Sequence, residues 1–182
     1  GVPREGLEQG RAEMPDWQGS GMSVMEVSHG SKAFSGVAEE AEADLRELMG
    51  ISDDYAVMFL QGGATAQFAL LPMNLSRPGD KVDYLLTGSW SKKACKEAQV
   101  VRDVGIVADG ADSSYTDVPA RATWQLDPNA AYCHYTPNAT IGRVESHDGP
   151  EGGDVPIRAA VASTILSKPV AFTGCGVTYS SG

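Results

Sequence analysis

The stretch FLQGGATAQFALLPMNL, residues 59–75, changes character abruptly at its centre. An apolar run ends at Gln61, two glycines and small residues follow, and a second apolar run begins. The run YAVMFL (55–60) predicts a buried strand. The run AQFALLPMNL (66–75) predicts a helix that Pro72 kinks or ends. The small residues between the two runs therefore form a strand-to-helix turn.

This turn has the properties of an anion site. Free N–H groups at a helix start, together with the helix dipole, favour an anion such as phosphate. Gly62 and Gly63 allow close approach of the backbone, and Thr65 adds a hydroxyl. No Gly-Lys-Ser/Thr follows and no GxGxxG is present, so neither the P-loop nor the dinucleotide signature applies. Taken alone, a Gly-Gly turn is weak evidence for an anion site, and a purely structural role is the commoner one.

Strand-like and helical patterns alternate along the rest of the chain. One helix is predicted around 34–48, with Gly50 as its C-cap, and a short one at 91–99. Alternation of this kind with near-continuous apolar strands predicts an α/β fold with a layered sheet flanked by helices. The region 109–130 is polar and turn-rich. Further strands are predicted at 82–86, 100–107, 131–135, 157–163 and 174–180.

Composition narrows the class of protein. The formal charge of −10 argues against a nucleic-acid surface, because phosphate binding needs clustered positive charge. No apolar run is long enough to span a membrane. The absence of a basic-then-apolar leader leads us to expect a cytoplasmic protein. The three cysteines form no CxxC pair and the three histidines have no metal-ligand spacing, so we expect reduced thiols and no metal site. Cys133 and His134 are adjacent on a predicted strand and should face opposite sides.

Five segments in order resemble the phosphoserine aminotransferases, pyridoxal-phosphate enzymes of fold type I and class V. They are GMSVMEVSHGSKAF (21–34), FLQGGATAQFALLPMNL (59–75), DYLLTGSWSKKACKEA (83–98), HYTPNATIGRVE (134–145) and STILSKPV (163–170). The resemblance covers nearly the whole chain but only the first half of such an enzyme. It implies that residues 1–182 form a single, incomplete, cofactor-binding large domain, without the small domain of the family.

The resemblance assigns the cofactor contacts residue by residue. Ala64 and Thr65, just after the glycine pair, match the residues that bind the phosphate of pyridoxal 5'-phosphate. Trp90 matches the aromatic residue that stacks on the pyridine ring, and Thr140 matches the threonine that hydrogen-bonds the phenolic oxygen. His29 matches a substrate-side histidine. Without the resemblance, Trp90 reads as a core side chain, Thr140 as a turn hydroxyl and His29 as a surface histidine.

Three positions depart from the pattern of the family. Gly30 stands where the family has an arginine that holds the anionic substrate, and losing this bidentate clamp weakens anion binding. Ala160 stands where the family has an aspartate that pairs with the pyridine nitrogen and keeps the ring an electron sink. Asp154 is too far along the strand to replace that aspartate. Ala139 also departs from the usual Asn-Glu-Thr string, with no evident consequence.

No residue of the chain is assigned as the catalytic amine. The Schiff-base lysine of the family is expected beyond Gly182. Lys92 and Lys93 lie in a charged helix, where salt bridges are the expected role, and Lys168 precedes Pro169 in a predicted loop.

The resemblance implies amino transfer between glutamate and 3-phosphohydroxypyruvate, a phosphorylated 2-oxo acid, in serine biosynthesis by a homodimer. The chain as given is expected to be inactive in this reaction. One alternative is a degenerate, non-catalytic homologue that serves dimerisation or partner binding. Another is a related pyridoxal-phosphate enzyme, such as a cysteine desulfurase-like protein. The chain is also consistent with a fragment or an incomplete gene product.

Overall fold

A computed structural model describes residues 3–139, 144–145, 155–162, 165–166 and 175–181. The chain divides into two compact units, Gly1–Val57 and Met58–Gly182. Among the described residues, no helix combines the length and hydropathy that crossing a bilayer requires.

The first unit contains two α-helices, α1 (Arg4–Glu13) and α2 (Lys32–Met49). Ser31 caps the start of α2, since its hydroxyl accepts the amide of Phe34 at 3.2 Å, and Gly50 caps the end with a φ of 62°. Both ends follow the capping rules, and the Gly50 cap agrees with the sequence prediction. Helix α1 carries no buried residue and no apolar stripe, so periodicity did not reveal it.

The second unit contains a five-stranded parallel sheet with strand order β2-β1-β3-β6-β7, and a separate antiparallel pair β4-β5. The predicted strands of the sheet are confirmed with changed bounds: the strand predicted at 100–107 spans 103–109, the one at 82–86 starts at 81, and the other three are shorter than predicted. The strands are β1 (Lys81–Leu86), β2 (Asp103–Asp109), β3 (Cys133–Tyr135), β4 (Asn138–Ala139), β5 (Val144–Glu145), β6 (Ile157–Ala160) and β7 (Cys175–Tyr179).

Two helices cover one face of this sheet, α3 (Gly63–Leu75) and α4 (Ser89–Gln99). Phe68 of α3 and Cys95 of α4 pack there in one core cluster with Tyr84 and Tyr132 of the sheet region. A second cluster on the other face includes Cys133. Since Cys133 and the neighbouring His134 lie on opposite faces, the predicted separation of these two side chains is confirmed. The α/β class is likewise confirmed.

The buried strand predicted for residues 55–60 is wrong. The segment has no strand geometry, and Met58, Phe59 and Leu60 are exposed. An apolar run forms a strand only where a neighbouring strand pairs with its backbone. No described strand pairs with this segment.

Of the two outcomes predicted for Pro72, an end of α3 is wrong, because the helix continues to Leu75, and a kink stays a prediction. The amide that proline lacks would have donated to the carbonyl of Phe68, four residues earlier. At the end of the helix, the hydroxyl of Ser76 donates to the Pro72 carbonyl at 2.6 Å. Arg102 adds to this helix end, since its guanidinium donates to the Ser76 hydroxyl at 2.8 Å and to the Ser76 carbonyl at 2.7 Å. These contacts satisfy polar groups at the helix end that the helix itself leaves unpaired.

Candidate active site

Chain order reverses between β1 and β3, and this reversal marks a crevice at the carboxyl end of the sheet. From β1 the chain moves outward to β2, and it then returns to the other side of β1 as β3. Open parallel sheets bind ligands at such a switch point, outside the carboxyl ends of the strands. The segments that follow β1 and β3 are therefore the first candidates for a binding site.

Hydrogen bonds join these two segments and define the start of α4. The hydroxyl of Thr87, just after β1, donates to the Thr136 carbonyl, just after β3, at 3.2 Å. The Ser91 hydroxyl accepts the amides of Thr87 at 2.9 Å and of Gly88 at 3.0 Å. Ser91 is buried, so it supplies partners that these amides would otherwise lack.

Trp90 lies in the first turn of α4, and its side chain is not part of the core. It is 40% exposed, whereas its helix neighbours Ser91 and Ala94 are buried. The ammonium group of Lys93 lies 5.7 Å from the centroid of its ring. An indole exposed at the switch point offers a flat surface on which an aromatic ring can stack.

The glycine turn before α3 requires its glycines. Gly62 and Gly63 have φ angles of 92° and 58°, in the left-handed region. A Cβ at Gly62 would lie 2.6 Å from the Cβ of Ala66, which real contacts do not allow. No side chain caps the helix, so the first amides point out of the helix start. Ala64 is half-buried and Thr65 is exposed.

The turn lies beside the end of β7. A Cβ at Gly63 would be 3.6 Å from the Cβ of Ser181, which follows that strand. The helix start is thus placed at the carboxyl end of the sheet, the same end as Trp90.

Ala160, Tyr179 and His134 form part of the face that α3 covers. Ala160 pairs with Tyr179 in the β6–β7 register. The Tyr179 hydroxyl lies 2.7 Å from Nε2 of His134 on β3, and the Tyr179 ring makes an edge contact with Phe68 of α3. The His134 ring also stacks on Tyr84, with centroids 4.8 Å apart.

Burial keeps the titratable groups of this face neutral. Burial lowers the pKa of His134 to about 3. It raises the pKa of Tyr132 to about 12 and also raises the pKa values of Tyr84 and Tyr179. The thiol of Cys95 also has a pKa raised by burial.

The other residues that the sequence analysis named as candidates are described next. His29 and Gly30 are exposed in the first unit. Thr140 and Lys168 lie outside the described residues. Lys92 and Lys93 contact aromatic rings, and the Lys92 ammonium group lies 4.0 Å from the centroid of the Tyr115 ring. Lys92 and Lys93 therefore make cation–π contacts, where salt bridges were expected.

All three cysteines are buried free thiols. Buried thiols with raised pKa values are poor nucleophiles. Within the described residues, no cysteine therefore has the exposed setting that desulfurase chemistry needs.

Sequence reasoning missed Ser91, Thr136 and the His134–Tyr179 pair. Ser91 carries a weak local signal, a serine three residues after a glycine at a helix start. The other contacts join residues 45 to 49 positions apart, so no local pattern reports them.

Comparison with known proteins finds the same kind of enzyme that the sequence motifs resemble. A sequence profile described as Aminotransferase class-V matches residues 2–146. The phosphoserine aminotransferase of Hahella chejuensis is 51% identical over 178 residues, which is 98% of this chain and 49% of that protein. The chain thus spans about half the length of the curated relatives it matches.

Solved structures that resemble this fold include phosphoserine aminotransferases. The phosphoserine aminotransferase from Bacillus circulans subsp. alkalophilus superposes with a TM-score of 0.94 at 40% identity, over 99% of this chain and 50% of that one. A phosphoserine aminotransferase from Trichomonas vaginalis with pyridoxal phosphate bound gives a TM-score of 0.92 at 37% identity, over 99% of this chain and 54% of that one. Sequence and fold together show that the chain belongs to the class-V aminotransferase family.

Proposed function

We propose that the chain is the first half of a phosphoserine aminotransferase, which moves an amino group between glutamate and 3-phosphohydroxypyruvate with pyridoxal 5'-phosphate. The similarity to named phosphoserine aminotransferases over 98% of the chain supports this assignment. On this proposal residues 1–182 belong to the cofactor-binding large domain of a cytoplasmic homodimer.

The glycine turn carries the proposal. It presents uncapped backbone amides at the start of α3, beside the end of β7. This donor set fits a phosphate group, since aligned amides and the helix dipole both favour an anion. We assign the phosphate to the amides of Ala64 and Thr65 and to the Thr65 hydroxyl.

Trp90 is the second part of the proposed site. Its exposed indole would stack on the pyridine ring and fix the ring plane. The Thr87–Thr136 hydrogen bond and the Ser91 cap hold the helix start that carries this indole. Thr140 would reach the phenolic oxygen, as the resemblance implies.

The residue at the position of the cofactor's ring nitrogen fits the cofactor less well than the residues at its phosphate. When bound, the cofactor supplies an electron sink for the substrate carbon that loses a proton. That sink depends on a protonated ring nitrogen beside a carboxylate, and this chain has Ala160 at the position of the carboxylate. The residues present therefore fit the phosphate and the ring faces of the cofactor, and not its charged nitrogen.

On the substrate side we propose His29, with Gly30 at the position of the arginine of the family. An arginine binds a carboxylate or phosphate through two parallel hydrogen bonds, which glycine cannot make. We therefore expect weak binding of phosphorylated substrates by these residues.

Fluorescence titration of the chain tests the proposed cofactor site. Pyridoxal 5'-phosphate should quench tryptophan emission, and pyridoxal, which lacks the phosphate, should bind at least about tenfold more weakly. Trp90→Phe should remove most of the quenching, whereas the matched control Trp124→Phe should retain it. Equal affinity for the two ligands would contradict the phosphate assignment.

Borohydride reduction followed by intact-mass and peptide analysis tests the amine assignment. We expect no stoichiometric adduct on Lys92, Lys93 or Lys168. A single adduct at one of these lysines would show that the chain has its own amine and that the active-site alignment is wrong.

A non-catalytic homologue is the second candidate, and Ala160 and Gly30 favour it because both replace groups that hold charge in the family. Such a protein should dimerise without cofactor and should not bind pyridoxal 5'-phosphate stoichiometrically. The same titration, combined with sedimentation, separates this candidate from the first.

A further inference from the structure

Ser114 and Tyr115 adopt a left-handed backbone conformation side by side. Their φ angles are 52° and 59°, and among the described residues no other two adjacent non-glycine residues share this conformation. A side chain at positive φ is strained, above all a bulky one such as tyrosine. Backbone strain persists only where the surrounding contacts hold it, and it is frequent at binding and catalytic sites. The contacts that hold Tyr115 therefore indicate the function of this turn.

The strained turn places the Tyr115 ring beside the end of β2. Its hydroxyl donates to Oδ1 of Asp109, the last residue of β2, at 2.7 Å, and its amide donates to the carbonyl of Gly110 at 2.9 Å. A Cβ at Gly110 would lie 3.2 Å from a carbon of the Tyr115 ring. Because glycine has no Cβ, the ring can lie this close to the backbone. Asp109 pairs with Leu86 at the end of β1, so the ring is fixed at the carboxyl end of the sheet.

A cation–π contact joins the Tyr115 ring to α4. The Lys92 ammonium group lies 4.0 Å from the centroid of the ring, well inside the range of such contacts. The ion pairs of the described residues do not include Lys92. Its neighbours one turn away along the helix are Gly88, Ser89, Cys95 and Lys96, and none of them is a carboxylate. The ring of Tyr115 therefore holds the Lys92 side chain, and with it the start of α4, against the end of β2.

The first turn of α4 depends on contacts from outside the helix. The amide of Lys92 donates to the carbonyl of Gly88 at 3.1 Å. The amides of the three residues before Lys92 have no backbone partner within the helix, so side chains must fix this turn. Ser91 fixes it on the side of β1, where its hydroxyl accepts the amide of Gly88 at 3.0 Å. Tyr115 fixes it on the side of β2, through its contact with Lys92.

Trp90 lies in this turn, two residues before Lys92, so the direction of its indole follows from how the turn is held. We propose that Tyr115 is a positioning residue of the candidate site: by holding Lys92, it fixes the exposed indole of Trp90 in place before a ligand arrives. A flat ligand that stacks on a preformed indole does not have to order it, and so avoids part of the entropy cost of binding. The stacking of pyridoxal 5'-phosphate on this indole rests on the proposed function, whereas the fixed position of the indole does not.

¹⁹F NMR of the chain labelled with 5-fluorotryptophan tests the position of the indole without any ligand. Trp17, Trp90 and Trp124 give three signals, and Trp90→Phe identifies the signal of interest. Lys92→Met keeps a long side chain and removes its charge. It should move the Trp90 signal toward the chemical shift of the unfolded chain, because the indole is no longer held. Lys92→Arg keeps a cation over the ring and should leave the signal in place.

Lys96→Met is the matched control. Lys96 is exposed one turn further along the same helix, so this variant removes the same charge and should leave the Trp90 signal unchanged. Tyr115→Leu removes the ring and should act as Lys92→Met does, whereas Tyr115→Phe keeps the ring and should have a smaller effect. An unchanged Trp90 signal in Lys92→Met would overturn the proposal, and so would an equal change in Lys96→Met.

Titration with pyridoxal 5'-phosphate then measures what the fixed indole contributes to binding. In Lys92→Met the affinity should fall by roughly two- to tenfold, the cost of ordering one side chain, while Lys92→Arg and Lys96→Met should keep the affinity of the unaltered chain. Equal binding by Lys92→Met would overturn the role of Tyr115 for this ligand. If the unaltered chain does not bind the cofactor, the proposed function fails, and the fluorine signals still decide whether Tyr115 positions Trp90.

Discussion

The hydroxyl of Thr87 donates to the carbonyl of Thr136 at 3.2 Å and so joins the ends of β1 and β3, at the point where the chain order of the sheet reverses. The same short region carries Ser91 and Trp90. Hydrogen bonds among Thr87, Gly88 and Ser91 thus fix the start of α4, and they determine where the exposed indole of Trp90 lies.

Ser91→Ala should destabilise the second unit and disturb Trp90. The substitution leaves the amides of Thr87 and Gly88 without their acceptor, and a buried unpaired amide costs about 1–3 kcal/mol. Urea unfolding should show the loss, and quenching of Trp90 by the cofactor should weaken with it. Ser89→Ala, at an exposed position of the same turn, should change neither.

Gly62→Ala should be costlier than the same change at Gly79. Both glycines have similar positive φ angles, 92° and 94°, so alanine is strained by about 1 kcal/mol or more at either position. Only at Gly62 does the new Cβ also meet another atom, Cβ of Ala66 at 2.6 Å. The loss in unfolding free energy caused by Gly62→Ala, minus the loss caused by Gly79→Ala, therefore measures the cost of the contact with Ala66. Equal losses would show that the turn can open without cost.

The stability of the fold should fall as the pH drops below about 6.5, because of His134. Burial lowers its pKa to about 3 in the folded state, from the ordinary histidine value of 6.5, so the unfolded chain binds more protons between these two pH values. The free energy of unfolding therefore rises with pH across this window, by at most about 1.4 kcal/mol per pH unit. Above pH 6.5 the contribution is constant.

Denaturant titrations from pH 4 to pH 8 would measure this slope, and His134→Gln should reduce it by up to one proton. His29→Gln is the control, since His29 is exposed, and it should keep the full slope. An unchanged slope in His134→Gln would mean that another group causes the acid sensitivity.

Arg102→Lys should destabilise the end of α3. The guanidinium reaches both the hydroxyl and the carbonyl of Ser76, which a single ammonium group cannot do with the same geometry. Hydrogen bonds to charged groups contribute about 1.5–3 kcal/mol each, so a loss of this order is expected in thermal or urea unfolding. Arg77→Lys, at an exposed position nearby, should have little effect.

Local signals were sufficient to predict several elements of both units. The glycine turn, the capping glycine after α2 and the apolar strands of the sheet are all specified by residues close in sequence. The prediction failed at residues 55–60, where an apolar run with strand propensity is exposed, because pairing depends on a neighbour that no local pattern reveals. The end predicted at Pro72 was also wrong, because the helix continues to Leu75, where Ser76 and Arg102 make the contacts of its end.

The residues of the candidate site also divide into those that a short motif identifies and those that only the fold brings together. Trp90 and the residues of the glycine turn could be singled out from short motifs, and their roles stay predictions, as does the single large domain over 1–182. The pairing of His134 with Tyr179 could not be foreseen, because it requires knowing that β6 separates the strands carrying them. Long-range contacts of this kind follow from the order of strands and not from spacing along the chain.

The reactivity of the three buried thiols can report local unfolding of the elements that carry them. Cys95 lies on a covering helix, Cys133 in the central strand and Cys175 in an edge strand, and each is shielded from solvent. A thiol reagent can reach each one only when its element separates from the rest. Labelling rates measured by mass spectrometry at the three cysteines would therefore show in which order the helix, the central strand and the edge strand open. We expect Cys175, on the edge strand, to react first.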